Sequence, residues 1–179
     1  MAKILFFSDV HGVPPAMEKL LFQVEKLQPD HLVLLGDALY HGPRNGVPAD
    51  YDTLLTAEFL NRHRTQTQAV RGNCDSEVDQ MMLEFPMMAD YSELWCGKFR
   101  FFLTHGHRWN GANLPPLASG TVLVHGHTHI PECRKLDCGI TVFNPGSIAL
   151  PKGGWPPSFG WFEGSSLTVL GLDDGRRLL

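Results

Sequence analysis

Lys3-Ile4-Leu5-Phe6-Phe7-Ser8-Asp9-Val10-His11 and His31-Leu32-Val33-Leu34-Leu35-Gly36-Asp37 follow one plan, an unbroken apolar run closed by an acid. A short apolar run that does not alternate with polar residues reads as a strand buried on both faces. Between the two runs, Pro14 and Pro15 suit the first turn of a helix, and Leu20, Leu21, Val24 and Leu27 recur at helical spacing until Pro29 ends it. Strand, helix, strand at this spacing implies a right-handed βαβ unit with parallel strands. Asp9 and Asp37 then stand at the carboxyl ends of neighbouring strands, where open α/β sheets place their sites.

Working outward, residues 38–50 carry glycine and proline with Arg44 and Asn45 and read as a loop. Asp52 can cap a helix running to about Arg64. Gln68 to Arg71 is a third short strand ending in Gly72-Asn73, and Asp75 or Ser76 caps a short helix through Leu83. After Pro86 the pattern changes. Residues 88–95 and 99–104 form two strands turning at Cys96-Gly97-Lys98. A loop with Trp109, Asn113, Pro115 and Pro116 leads to a strand from Thr121 to Val124. Two more hairpins turn near Asp137-Cys138-Gly139 and Glu163-Gly164-Ser165. The first half is mostly βαβ and the second half mostly antiparallel. The expectation is one α/β domain over residues 1–179, with two packed sheets and helices outside them. Trp155, Phe159 and Trp161 read as core, with a subunit contact in a homo-oligomer as the alternative.

The 179 residues are 43% hydrophobic and 19% charged, which fits a soluble globular chain rather than a disordered or membrane-embedded one. A net charge of −4 without a basic stripe argues against duplex nucleic acid or an anionic membrane as partner. It leaves room for a small phosphorylated substrate, because bound metal adds positive charge that the count omits. The amino terminus lacks the pattern of a secretory signal, and no run approaches a membrane-spanning length. The four irregularly spaced cysteines then read as free thiols in a reducing cytoplasm.

Five clusters follow apolar runs in order: Asp9-Val10-His11, Gly36-Asp37, Gly72-Asn73-Cys74-Asp75, His105-Gly106-His107 and His125-Gly126-His127-Thr128-His129. Each has an ordinary alternative. Asp9 can cap a helix, Asp37 and Asn73 can make Asx turns, and the histidines can sit in a flexible turn. Asp75 suits a helix cap or a hydrogen-bond partner to a ligand better than a ligand position. Together the clusters supply carboxylate, amide and imidazole donors from separate strand ends. Such a set suits hard or borderline ions such as Mn²⁺, Fe²⁺ or Zn²⁺ and the needs of a two-metal hydrolytic centre.

In these clusters, and in Asn144-Pro145-Gly146-Ser147, the chain resembles the calcineurin-like metallophosphoesterases. His41 to Asn45 and Arg71 to Glu77 are similar to the YfcE-type prokaryotic phosphodiesterases within that family. The resemblance implies a four-layer α/β/β/α sandwich of two mixed sheets flanked by helices. It implies two divalent metal ions, Mn²⁺ first, acting through a hydroxide that bridges them. One ion would be held by Asp9, His11 and His129, the other by Asn73, His105 and His127, with Asp37 between them. The candidate catalytic residues are Asp37, Asn73, Cys74 and Asp75, and the implied substrate is a small phosphodiester. Many family members carry histidine after the asparagine, where it helps protonate the leaving group; here that position is Cys74. A thiol with a reference pKa of about 8.5 matches neutral pH less well than imidazole. Substrates with good leaving groups are therefore favoured. The alternatives are a non-catalytic protein-interaction scaffold on the same fold, like a retromer sorting-coat subunit, a phosphomonoesterase, or a nuclease.

Overall fold

In the computed structural model, which describes residues 2–179, Ile4 and Phe6 bury on one face of strand β1 (Lys3–Phe7) and Leu5 and Phe7 on the other. Two-sided burial of the opening run places β1 in the middle of a sheet. It pairs in parallel with β2 (His31–Leu34), Phe6 facing Val33, and β2 pairs in parallel with β3 (Thr67–Ala69). The intervening helix α1 (Pro14–Leu27) has no side-chain cap; Pro14 and Pro15 fix its first turn and the left-handed Gln28 closes it before Pro29. Helix α2 (Thr53–Asn61) is capped by Asp52, whose carboxylate accepts from the Leu55 N–H at 3.0 Å. Ser76, with Asp79, caps the single turn and a half of α3 (Glu77–Met82).

The remaining strands are β4 (Tyr91–Cys96), β5 (Phe99–Thr104), β6 (Val122–Val124), β7 (Glu132–Lys135), β8 (Thr141–Asn144), β9 (Ser158–Glu163) and β10 (Ser166–Gly171). They complete two mixed five-stranded sheets, ordered β10-β9-β1-β2-β3 and β4-β5-β6-β8-β7. Between the sheets lie Ile4, Phe6, Val33 and Leu35 from one and Phe101, Leu103, Val124 and Phe143 from the other. Phe6 meets Phe101 at 5.6 Å and Phe143 at 6.0 Å between ring centroids, so aromatic contacts join the layers. Outside the first sheet, α1 and α2 cover Leu5, Phe7, Leu32 and Leu34.

The second half is mostly antiparallel, as expected, with parallel pairing in the middle of its sheet and one hairpin placed in the first sheet. Strands β5, β6 and β8 are parallel neighbours, β5 and β6 joined by a long loop and β6 and β8 by way of β7, and the β9–β10 hairpin leaves the second sheet to lie antiparallel beside β1. The reason is burial. Ser158 to Phe162 are all buried, on both faces, which a strand achieves only inside a covered sheet. Phe159 and Trp161 are thus interior residues. Outside the second sheet, Phe102, Leu123, Ile140 and Val142 pack under Trp109, Leu114 and Leu117 of the loop after β5. All four cysteines are free. Among the described residues no helix is long and apolar enough to cross a membrane.

Candidate metal centre

The ladder between β1 and β2 runs on past the strand ends. Asp9 N donates to Gly36 O at 3.1 Å, and the amides of Val10 and His11 both donate to Asp37 O at 3.0 Å. This continuation sets Asp9, His11 and Asp37 side by side above the sheet. The second sheet approaches from across the core: His127 N donates to Asp9 Oδ2 at 3.0 Å, and Ile148 N to Ser8 O at 3.3 Å. Gly126 lets the sheets meet here, since a Cβ on it would fall 1.9 Å from Ser8 Oγ and 2.8 Å from Asp9 Oδ2.

Asp9, His11, Asp37, His127 and His129 all have positive φ, between 50° and 67°. Such backbone is unfavourable for residues with a Cβ by roughly 1–3 kcal/mol each and concentrates at functional sites. Surrounding hydrogen bonds hold the strained loops. The buried Asp75 carboxylate accepts from the amides of Asp37 (2.9 Å), Ala38 (2.9 Å) and Gly72 (2.6 Å), so it supports the Asp37 loop from below. A Cβ on Gly72 would lie 2.1 Å from Asp37 Oδ1, which explains glycine there. Ser147 Oγ donates to Asp9 O and accepts from Leu150 N, both at 2.8 Å. Asn144 Nδ2 donates to Gly126 O and Thr128 Oγ1, both at 2.9 Å, and so shapes the loop carrying His127 and His129.

The imidazoles are oriented by carbonyls. Nδ1 of His11 lies 2.9 Å from Tyr40 O, that of His105 2.7 Å from Leu35 O, and that of His129 2.6 Å from Leu150 O. A carbonyl only accepts, so each Nδ1 carries a proton and Nε2 is the nitrogen turned inward, the atom that would bind an ion. Those Nε2 atoms converge on the two carboxylates. His129 Nε2 is 3.3 Å and His11 Nε2 3.8 Å from Asp9 Oδ1; His11 Nε2 is also 3.8 Å, and His105 Nε2 3.4 Å, from Asp37 Oδ2. Asn73 Oδ1 and His127 Nδ1 lie 3.1 and 3.2 Å from His105 Nε2. The structure therefore brings together all seven residues expected as ligands.

A divalent cation fits these groups. Asp9 Oδ1 and His11 Nε2 are fully buried and have no hydrogen-bond partner, which is costly unless something else satisfies them. Asp9, His11 and His129 offer ligand atoms within 4.8 Å of one another, as do Asp9, Asp37 and His105. The electrostatics agree. Burial alone would lower the His105 pKa, yet the Asp37 hydrogen bond and the Asp9 and Asp37 charges raise it to about 9. Burial likewise pushes the Asp37 carboxyl up, but His105 and the Cys74 N–H outweigh it and hold the group well below the usual range. The pocket thus pulls strongly on positive charge. His127, half-buried beside His105, is lowered to about 4 and stays a neutral donor.

Cys74 and the remaining residues of these clusters take other places. Cys74 sits at the cleft wall with its amide on Asp37 Oδ1 (2.8 Å), and burial and the Asp37 charge push its thiol up to about 12. His107 is partly buried, its ring centroid 5.5 Å from that of His105, while His125 lies buried behind the loop. Arg71 Nε donates to Asp75 O at 3.3 Å. The cleft, about 640 Å³, is also lined by Pro43 and Thr128, from stretches already noted, and by Tyr40 and Lys152, which the sequence did not single out. Lys152 had one faint signal, its place shortly after Asn144-Pro145-Gly146-Ser147.

Residues 2–166 match the calcineurin-like phosphoesterase superfamily domain. The chain is 47% identical to phosphodiesterase YfcE of Escherichia coli K12, over 97% of this chain and 94% of that one. It superposes on the solved structure of Yfce, a phosphoesterase from E. coli, with a TM-score of 0.96 at 45% identity, covering 99% and 97% of the two chains. Vacuolar protein sorting 29 from Cryptosporidium parvum shares the fold alone, with a TM-score of 0.64 at 20% identity over 98% and 94%. With the family domain matched across most of its length, the chain belongs to the calcineurin-like phosphoesterase superfamily.

Proposed function

We propose that this chain is a phosphodiesterase whose divalent-metal centre holds two ions. One ion would be held by Asp9, His11 and His129, the second by Asn73, His105 and His127, with Asp37 reaching both. The observation that carries the reading is the orientation of His11, His105 and His129, each locked through Nδ1 so that Nε2 faces a carboxylate, with Asp9 Oδ1 unpartnered. When bound, two ions supply Lewis-acid polarisation of the phosphoryl group and activate water near neutral pH. The donor set suits Mn²⁺, and Zn²⁺ or Fe²⁺ fit the same atoms.

The residues themselves do the positioning. Asp75 and Gly72 fix the Asp37 loop, and Ser147 fixes Asp9 and the carbonyl that orients His129. Two divalent ions against two first-contact carboxylates leave positive charge in excess, which suits the single charge of a diester beside an anionic nucleophile. Cys74 stands where an imidazole acid would, and a thiol partly buried in the cleft wall is a poor proton donor to a departing alkoxide, so diesters of acidic alcohols such as nitrophenol are the favoured substrates. A cleft of about 640 Å³ fits small esters. The relative named phosphodiesterase supports the reaction class.

The test is elemental analysis of purified protein together with hydrolysis of bis(4-nitrophenyl) phosphate and 4-nitrophenyl phosphate in Mn²⁺, Zn²⁺ and Fe²⁺. Two ions per chain and faster diester cleavage are expected. Binding of fewer than two ions under saturating metal, or faster monoester cleavage, would overturn the proposal.

A further inference from the structure

The cleft extends beyond the candidate ligands, and two cations stand in its wall. Arg44 lies in the Gly42–Asn45 segment, which packs against the Asn73 end of the site: a Cβ on Gly42 would sit 3.0 Å from Cys74 Sγ. Lys152 belongs to the other end, its amide donating to His129 O at 3.1 Å and its side chain lining the cleft beside His129 and Thr128. Lys3, Lys19, Arg62, Arg64, Arg100, Arg108, Arg134 and Arg176 make ion pairs with acids; Lys26, Arg71, Lys98, Lys135 and Arg177 do not, but none of these five lines the cleft. Among the described residues neither Arg44 nor Lys152 makes an ion pair or a side-chain hydrogen bond within the chain.

A simple diester brings one negative charge, and the ions at the cleft floor already have use for it. Two unpaired cations in the wall are then surplus to that substrate, although the chain as a whole is acidic. Resting on the phosphodiesterase reading, we propose that the substrate is a small phosphodiester with a second anionic group, a phosphate or carboxylate, on one of its arms. Arg44 binds that group at one end of the cleft or Lys152 binds it at the other, according to which way round the ester lies. The guanidinium can grip two oxygens at once, and the lysine acts as a flexible point charge. Both are specificity-determining residues that take no part in bond cleavage.

The test uses the Mn²⁺-loaded protein and three inhibitors: methyl 2-hydroxyethyl phosphate, methyl 2-carboxyethyl phosphate and methyl 2-phosphoethyl phosphate. With poor leaving groups they report binding by competition against bis(4-nitrophenyl) phosphate, and each can lie either way round in the cleft. The two anionic-arm esters should bind more tightly than the neutral one, by roughly fivefold for each cation engaged. The advantage should shrink in 0.5 M salt and in Lys152→Gln or Arg44→Gln, and vanish in the double variant. The stronger of the two anionic inhibitors identifies the group. Equal binding of all three, or an advantage that survives in the double variant, would overturn the proposal while leaving phosphodiesterase activity intact. No turnover of the nitrophenyl diester would remove the activity and the proposal together.

Discussion

Replacing Ser147 with alanine should weaken one metal position far more than the other. The hydroxyl is completely buried, donates to Asp9 O at 2.8 Å, and accepts from Leu150 N at 2.8 Å and Ala149 N at 3.2 Å. Alanine leaves Asp9 O, Leu150 N and Ala149 N unpaired in the interior, with space for less than a water molecule. Counting the two short bonds at roughly 1–1.5 kcal/mol each, the expected loss is about 2–3 kcal/mol. For a chain of this length that corresponds to about 4–12 °C in Tm. The same hydroxyl ties the Asp9 loop to the segment whose Leu150 carbonyl orients His129. Losing such a support typically lowers metal affinity roughly 10–100-fold. The Asn73, His105 and His127 side chains make no hydrogen bond to Ser147 and should keep their ion. Thermal denaturation of the metal-free protein gives the first number, and equilibrium dialysis against graded Mn²⁺ gives the second. An unchanged Tm with two ions bound at wild-type affinity would refute the reasoning. So would equal weakening at both positions.

Asp37→Asn should lower the affinity for both ions and reduce kcat by at least about a hundredfold, since the carboxylate faces both His11 and His105; stoichiometric loading with normal turnover would contradict its bridging place. Cys74→His should raise the rate on alkyl and nucleoside diesters more than on nitrophenyl diesters, by roughly tenfold or more, and an unchanged ratio across leaving groups would count against the thiol's role. Gly72→Ala forces a methyl group into the Asp37 carboxyl and amide, at 2.1 and 2.3 Å, so the variant should lose about 2 kcal/mol or more and bind metal poorly; wild-type denaturation and dialysis curves would show that the loop yields. Saturating Mn²⁺ should raise the wild-type denaturation midpoint, by roughly 2.7 kcal/mol of stability per site at a hundredfold excess over Kd, and calorimetry showing no shift would argue against tight sites.

Much of the first sheet was legible in the sequence because its signals are local. An unbroken apolar run, Pro14-Pro15 and Pro29 sufficed to fix β1 and α1 to within a residue or so. Second-half topology was less legible, since a hairpin signal such as Glu163-Gly164-Ser165 says where the chain turns and nothing about which sheet receives it. The loop cover over Phe102 and Leu123 was hidden for the same reason, as Trp109, Leu114 and Leu117 follow no helical or strand period.

Residue types and order thus determined by themselves that the chain offers carboxylate, amide and imidazole donors at successive strand ends, because strand ends and turns leave local marks. Tertiary structure alone decided how those donors meet. His127 reaches Asp9 from 118 positions away, and the carbonyls of Tyr40, Leu35 and Leu150 choose the ring nitrogen that each histidine presents. It also decided that Asp75 faces three backbone amides and that Lys152 enters the cleft. Hydrogen-bond direction and close approach depend on distances between segments remote in sequence, and a pattern of residue types carries no such distances.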